Sequence, residues 1–228
     1  VYTYLHWGKT KFLMLAFKER KIKEKINLEE CLAKTEFKGC NIIPGMTVEE
    51  HCLLTAEIAK VIQQFYSIQN SYNLFPLNFS SIIAIHDIGK ISLPFQAKIW
   101  KALDFPLETP KSVLNNKDYA ECKQDDSLHH ATIGRNAVLD LSNRDKDSAY
   151  IVGAHHGGLK SSDESPLDAG KYGGEGYSIA KKSLFAEMIS QFGELPTFEN
   201  ESVKRFISGL TVVSDWISSA RTKQELQE

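Results

Sequence analysis

A histidine and an aspartate stand side by side near the end of an apolar run, Ile82-Ile83-Ala84-Ile85-His86-Asp87-Ile88-Gly89-Lys90. Such a run belongs in a protein core, where an imidazole and a carboxylate are costly unless another group pairs with them. A metal ion is the usual partner for such a pair. His86 and Asp87 therefore direct attention to the remaining histidines and aspartates as further metal ligands.

A second candidate ligand, His51, lies in the first turn of a predicted helix. Thr47 and Glu50 form the pattern of a capping box after Pro44-Gly45-Met46, which predicts that a helix begins there. The apolar residues at helical spacing are Leu54, Ile58, Val61 and Phe65. His51 precedes this stripe by three residues and is expected to face inward. A single inward histidine is also explained as a hydrogen-bonded core residue, so His51 becomes a ligand only with partners.

Three further candidate histidines occur at the ends of two predicted helices. Ser127-Leu128-His129-His130 opens a helix in which His130 lies on the inward stripe and His129 is rotated off it. A short helix predicted from Asp147 to Ala154 ends at His155-His156, where the glycines that follow stop it. Two adjacent histidines at a helix end can converge on one ion.

The last predicted helix, from Ser202 to Ala220, carries a second candidate carboxylate, Asp215. One stripe is apolar and predicted to be core: Phe206, Leu210, Val213 and Ile217. A second stripe is small and polar: Ser208, Thr211, Asp215 and Ser218. Such a helix suits packing on one side and lining a polar cavity on the other. Asp215 is also explained as an exposed helical aspartate.

The elements that position these side chains are all predicted to be helices. Ile82 to Ile88 is apolar around its whole circumference, which predicts a central helix capped by Ser80 or Ser81, and Gly89 permits close backbone approach or a helix end. No strand periodicity competes, so we predict one all-α bundle, a single domain over residues 1–228. The candidate ligands are His51, His86, Asp87, His130, His155, His156 and Asp215. Seven ligands predict a buried dinuclear metal site unless several are bystanders, because a mononuclear site needs three or four.

Length and composition predict a soluble globular domain. The 228 residues suffice for one sizeable core, and 42% are hydrophobic while 25% are charged. No apolar run reaches the ~18 residues of a membrane span, and no secretion signal is recognisable after Val1, so we expect a cytoplasmic location. The four cysteines lack a Cys-x-x-Cys pairing and are expected to be reduced. A net charge of −2 excludes a protein held on nucleic acid by overall basicity.

Three segments and one histidine remain outside the predicted site. The mixed-charge run Lys18 to Lys25 favours a solvated helix over a DNA contact, because its acids dilute the positive charge. The polar stretch Lys101 to Asp126 reads as a long connection. Ser161 to Tyr177 is glycine-rich without the strand and helix that a phosphate loop needs, which predicts a flexible surface loop near the site mouth. His6 is not expected to be a ligand.

The order His, His-Asp, His, His-His, Asp resembles that of the HD metal-dependent phosphohydrolase superfamily, whose domains are all-helical. Within it, the chain looks like the HD nuclease domain of the CRISPR-associated helicase-nuclease of type I interference systems, and most like subtype I-E. The motifs are Trp7-Gly8-Lys9-Thr10, His86-Asp87-Ile88-Gly89-Lys90, Phe95-Gln96, His130 with Gly134, Gly153-Ala154-His155-His156-Gly157 and Ser214-Asp215-Trp216-Ile217-Ser218-Ser219. The chain departs from the family at Ala131, where many members carry glutamate.

The resemblance implies two divalent ions bridged by Asp87. The first ion would be held by His51, His86 and Asp215, and the second by His130, His155 and His156. Ligands this rich in imidazole suit Mn, Fe, Co, Ni or Zn better than Mg, although carboxylates and water leave Mg possible. Asp87, Lys90 and Ser219 would be the catalytic residues, with Lys90 neutralising phosphate charge and Ser219 near the phosphate. Lys90 is also explained as a surface lysine with a buried stem.

The substrate that the resemblance implies is single-stranded DNA, the strand displaced when an RNA-guided Cascade complex opens its target. A helicase domain, in cis or in trans, would feed this strand to the site. The chain has no Gly-x-x-x-x-Gly-Lys-Ser/Thr motif and therefore no motor of its own. It is either a stand-alone nuclease subunit or a piece of a longer helicase-nuclease.

Two other functions are compatible with the same residues. An HD phosphohydrolase acting on a nucleotide or cyclic dinucleotide would have a closed pocket with basic and aromatic residues for the base. A non-catalytic, metal-binding docking module would keep the metal site without using it. Metal-dependent cleavage of circular single-stranded DNA, lost in Asp87→Ala, separates the three possibilities.

Overall fold

The computed structural model describes residues 26–67, 74–104, 129–222 and 224–226. Within these residues, seven α-helices pack around the apolar run, and a two-stranded hairpin precedes them. The helices are α1 (Val48–Ser67), α2 (Phe79–Ile83), α3 (Leu93–Ala102), α4 (His130–Leu141), α5 (Lys146–Ala154), α6 (Gly174–Phe192) and α7 (Glu201–Ser219). The predicted helical class is confirmed. No helix of the described residues has the length and apolarity needed to cross a membrane.

The capping box at the start of α1 is confirmed. The Thr47 N–H donates to Glu50 Oε2 at 2.8 Å, and the Glu50 N–H donates to Thr47 Oγ1 at 3.1 Å. The predicted inward stripe of this helix is wrong, because Val61 is 49% exposed and Phe65 is 76% exposed. The buried face consists of smaller residues, Val48, His51, Cys52, Thr55, Ala56 and Ala59. This face packs on α7, where His51 contacts Asp215 and Thr55 contacts Ser218.

The central helix predicted over Ile82 to Ile88 is also wrong, although every residue of this range is buried. Helix α2 ends at Ile83, tight turns follow, and a 3₁₀ turn covers Ile88–Lys90. In a continuing α-helix the Ile83 carbonyl would accept from the Asp87 N–H. Here it accepts from both the backbone N–H and Nδ1 of His86, at 3.2 and 2.8 Å, so the helix cannot continue.

The hairpin was not predicted. Strands β1 (Thr35–Lys38) and β2 (Asn41–Pro44) pair antiparallel, with Phe37 opposite Ile42. The isolated bridge between Leu32 and Thr47 continues this pairing to the start of α1. The four-residue strands are too short to show an alternating pattern against the surrounding helical signal.

The segment predicted as a flexible loop, Ser161 to Tyr177, is partly helical. It ends in a 3₁₀ turn at Gly170–Tyr172 and in the first turn of α6, and Tyr172 and Tyr177 are buried. Gly173 and Gly174 adopt φ of +103° and +71°, so the glycines build the turn that starts the helix. Helix α6 as a whole was missed by the sequence analysis, as was α3, which Pro94 begins.

Helix α7 begins at an Asn200 cap and buries its small polar stripe. Thr211, Asp215 and Ser218 are buried, whereas Val213 and Ile217 of the predicted core stripe are 45% and 38% exposed. The prediction of a core along that stripe is therefore only half right. The buried polar stripe faces α1, and Asp215 therefore lies beside His51.

The remaining sequence predictions concern cysteines and segments at the edges of the described residues. Cys31, Cys40 and Cys52 are free thiols, as expected. Cys122, His6, Trp7-Gly8-Lys9-Thr10 and the run Lys18 to Lys25 lie outside the described residues. Of the predicted connection after Lys101, only the first residues are described, and they complete α3.

Candidate metal centre

The structure brings the seven candidate ligands together into two groups that share one residue, Asp87. In each group, one ligand atom per side chain lies within 4.8 Å of every other. The first group is His51, His86, Asp87 and Asp215, and the second is Asp87, His130, His155 and His156. Helices α1 and α7 supply the first group, the start of α4 and the end of α5 supply the second, and the turn after α2 supplies both.

Asp87 presents one carboxylate oxygen to each group. Its Oδ2 lies 3.1 Å from His51 Nε2 and 3.4 Å from His86 Nε2. Its Oδ1 lies 3.4 Å from the Nε2 atoms of both His130 and His155. This carboxylate is 1% exposed, so it reaches both groups from inside the bundle.

The remaining ligand atoms close each group. Asp215 Oδ1 lies 3.1 Å from His51 Nε2 and 3.6 Å from His86 Nε2. In the second group, His130 Nε2 and His156 Nε2 are 2.8 Å apart. The first group is buried throughout, whereas His156 is exposed and His130 is half-buried, so the second group opens to the surface.

Two histidines, one in each group, are oriented by the same backbone arrangement. His86 Nδ1 donates to the Ile83 carbonyl at 2.8 Å, and His155 Nδ1 donates to the Val152 carbonyl at 2.5 Å. A ring that carries its proton on Nδ1 offers the bare Nε2 lone pair to a cation. Both Nε2 atoms are buried without a hydrogen-bond partner among the described residues.

His51 is oriented by hydroxyl groups instead. Its Nδ1 lies 3.4 Å from Ser218 Oγ, which is 2.7 Å from Thr55 Oγ1. Thr55 in turn donates to the His51 carbonyl at 2.7 Å. Ser218 Oγ can accept a hydrogen bond from the Nδ1–H of His51, and Nε2 of His51 then faces Asp87 and Asp215.

The close approach of two backbones sets the distance between Asp87 and His130. A Cβ atom on Gly89 would lie 1.9 Å from the His130 carbonyl oxygen and 2.5 Å from the Gly134 nitrogen. The 3₁₀ turn after Asp87 therefore packs directly on the first turn of α4. Gly89 acts through close approach, one of the two roles that the sequence predicted for it.

The donor atoms fit divalent cations. Oδ1 of Asp87 and the Nε2 atoms of His86 and His155 lack a hydrogen bond within the described part of the chain. Leaving such buried polar atoms without partners is costly, and a cation satisfies carboxylate oxygens and imidazole nitrogens together. The first group offers two imidazoles and two carboxylates and the second offers three imidazoles and one carboxylate, and both donor sets bind divalent transition metals.

The charges of the site follow from burial and from its neighbours. Burial opposes the ionisation of Asp87, but Lys90 and His86 outweigh it and hold its pKa well below the usual range. Burial likewise opposes the protonation of His86, but Asp87 and Asp215 raise its pKa well above the usual value. In the second group burial dominates, and it lowers the pKa of His130 to about 3 and that of His156 to about 4.

Lys90 and Ser219 both contact carboxylates of the site. Lys90 Nζ lies 2.6 Å from Asp87 Oδ2 and 5.4 Å from the centre of the Phe95 ring, so its ammonium group faces the ligands. Gln96 fixes this turn, because its Nε2 donates to the Lys90 carbonyl at 2.9 Å. Ser219 Oγ donates to Asp215 Oδ1 at 3.1 Å.

Three residues of the site surroundings were given no role from the sequence. Thr55 and Gln96 are buried beneath the site, and of these two only Gln96 had been noted, as part of the Phe95-Gln96 motif. His129 was set aside as rotated off the stripe, yet its ring stacks on that of His130 with centroids 4.5 Å apart. Its proximity to His130 in sequence was the available signal.

Comparison with known proteins identifies the family. The family described as Cas3, HD domain, matches residues 46–223. A solved structure described as a crystal structure of a CRISPR-associated protein aligns with a TM-score of 0.54 and 22% identity. The alignment covers 85% of this chain and 23% of that one, so the chain spans less than a quarter of that protein, and the likeness shows the fold. No curated protein matches the chain. With the family match over most of its length, the chain belongs to the Cas3 HD domain family.

Proposed function

We propose that residues 1–228 form a single HD nuclease domain that hydrolyses phosphodiester bonds of single-stranded DNA with two divalent ions. The observation that carries this proposal is the position of Asp87, which offers one oxygen to each ligand group. His51, His86 and Asp215 would hold one ion with Asp87. His130, His155 and His156 would hold the other. Two cations, when bound, supply Lewis acidity to the phosphate and lower the pKa of an attacking water.

The protein side chains supply binding, orientation and charge. Asp87 fixes the separation of the two groups, because its carboxylate is buried and cannot rotate without losing its contact with Lys90. Ions bound at the Asp87 carboxylate would compete with the Lys90 ammonium group. Lys90 would then leave Asp87 and pair with a substrate phosphate. Ser219 is exposed, and its single hydroxyl proton, which Asp215 Oδ1 accepts in this structure, would be donated to the phosphate once an ion occupies that oxygen.

The exposure of the second group suits a polymeric substrate. His156 is exposed at the surface and His130 is half-buried, so a chain can approach without entering a closed pocket. A site of this kind favours a strand over a nucleotide or cyclic dinucleotide. We propose that the strand is the one displaced by an RNA-guided Cascade complex and delivered by a helicase domain, in cis or in trans, in the cytoplasm.

The test uses metal-depleted protein and a circular single-stranded DNA substrate. Restoring Mn, Fe, Co, Ni, Zn or Mg one at a time, with measurement of bound metal, should identify ions that bind at two per chain and restore cleavage. Asp87→Ala should abolish cleavage while the helical content is kept. Cleavage at the wild-type rate by Asp87→Ala refutes the bridging role. Phosphate release from nucleotides without DNA cleavage identifies the nucleotide phosphohydrolase, and metal binding without either activity identifies the docking module.

A further inference from the structure

A third histidine ring adjoins the second ligand group without belonging to it. His129 stacks on His130 with centroids 4.5 Å apart and an interplanar angle of 28°, and its centroid is 5.4 Å from that of His156. The His129 ring is half-buried, so one side contacts the ligand histidines and another reaches the surface. It therefore lies where a strand would approach the exposed group.

The His129 ring accepts a hydrogen bond at Nδ1, whereas the rings of His86 and His155 donate one from Nδ1. His129 caps helix α4, and its Nδ1 accepts from the Ala131 N–H at 3.2 Å. A neutral imidazole whose Nδ1 is an acceptor carries its proton on Nε2. Nε2 of His129 is then a hydrogen-bond donor and has no lone pair for a metal, whereas His86 and His155 place a proton on Nδ1 and keep Nε2 for a metal.

Two exposed lysines lie on the elements beside this ring. Lys98 of α3 follows Phe95 by three residues, and the Phe95 ring is 5.3 Å from that of His130. Lys160 follows His156 by four residues, and the Asp87 carboxylate of the second group is buried. The surface next to the second group thus combines a neutral donor with two positive charges, which suits phosphate oxygens.

We propose that His129 is a substrate-binding residue whose Nε2–H donates to a phosphate oxygen of the DNA strand, flanked by Lys98 and Lys160. This inference rests on the proposed function and adds to it a phosphate-binding subsite beside the second ligand group. The subsite would hold the backbone of the strand, because the three side chains recognise phosphate and not a base.

The test compares His129→Asn with His129→Ala. Asparagine accepts at an N-cap as well as any residue, so His129→Asn keeps the cap but removes the Nε2–H donor, while alanine removes both. Binding is measured by fluorescence anisotropy with a labelled single-stranded oligonucleotide and metal-depleted protein. Both variants should bind about 10- to 100-fold more weakly, as expected for a lost hydrogen bond to a charged group, while only alanine lowers the melting temperature.

The salt dependence of binding separates the neutral donor from the cations. Lys98→Ala combined with Lys160→Ala should lower the slope of log affinity against log salt concentration by about 1.4, since each lysine contributes about 0.7 on a single strand. His129→Asn should leave the slope unchanged. Lys60→Ala is the matched control, because Lys60 pairs with Glu57 nine residues along α1 from His51.

Wild-type affinity in His129→Asn overturns the inference, and so does a loss of bound metal in that variant, which would make His129 a ligand. If the wild-type protein neither binds the oligonucleotide nor cleaves DNA, both the proposed function and the proposed subsite are wrong. If the wild-type protein binds and cleaves while His129→Asn is unaffected, only the subsite fails. The two failures are therefore distinguishable.

Discussion

Gly89→Ala is expected to separate the two halves of the metal centre. The added Cβ would lie 1.9 Å from the His130 carbonyl oxygen, and real Cβ contacts below 3.0 Å are essentially absent. The two backbones must therefore move apart by about 1 Å, because neither clashing group is a side chain that can rotate. Overpacking of this kind costs about 1–3 kcal/mol and occasionally more, and we expect about 3 kcal/mol here.

The same movement should act unequally on the two ligand groups. It carries His130 away from Asp87 Oδ1, whereas His51, His86 and Asp215 do not depend on the contact between Gly89 and α4. Metal sites tolerate ligand shifts of only about 0.2 Å, so the second group should lose its ion while the first keeps it. Bound metal should fall from two ions per chain towards one.

Urea denaturation and metal analysis test this prediction. A loss of about 3 kcal/mol should lower the urea midpoint by about 1 M or more for a chain of this size. Gly209→Ala is the matched control, because a Cβ there meets no atom within 4 Å on the exposed side of α7, and it should stabilise slightly. An unchanged midpoint and unchanged metal content in Gly89→Ala would refute the argument.

Three further predictions concern protons and hydroxyl groups of the centre. Metal binding near pH 7 should release a proton, because the raised pKa of His86 keeps this residue protonated without metal. Calorimetry of metal binding in buffers with different ionisation enthalpies should detect the released proton. A binding enthalpy that does not depend on the buffer would contradict the prediction. Since the folded pKa of His130 is about 3, below its unfolded value of about 6.5, the contribution of His130 to stability should be fully present above pH 6.5 and fall with acidification at up to about 1.4 kcal/mol per pH unit. His130→Asn should flatten this dependence in urea titrations, and an unchanged slope would count against it. Ser218→Ala removes the hydroxyl that faces Nδ1 of His51 and should weaken metal binding about tenfold in competition titrations. Wild-type metal affinity in this variant would show that the hydroxyl does not orient the ring.

One group of errors in the sequence analysis concerns which face of a helix is buried. Periodicity showed that α1 and α7 are helices, but each has more than one candidate stripe, and the larger apolar stripe was chosen in both. The structure buries the smaller side chains instead, because close packing of two helices favours small residues at the contact. Val61, Phe65 and Val213 are exposed as a result.

A second group of errors concerns backbone geometry. The apolar run predicted burial correctly, yet not the end of α2, because the interruption depends on a hydrogen bond from His86 Nδ1 to the Ile83 carbonyl. Glycine content between residues 161 and 177 suggested a loop, while the glycines build a turn into α6. Such features depend on one specific contact and leave no periodic signal.

By itself the sequence determined the helical class, the capping box at Thr47 and the identity of the seven candidate ligands, since residue type and helical spacing are local properties. Only the tertiary structure decided which oxygen of Asp87 faces which histidines, which ring nitrogens donate to backbone carbonyls, and that His129 accepts a hydrogen bond at Nδ1 beside the ligands. Those properties depend on atoms brought together from α1, α4, α5 and α7, far apart along the chain. Local sequence fixes what each side chain can do, and the packing of distant elements fixes with which partner it does so.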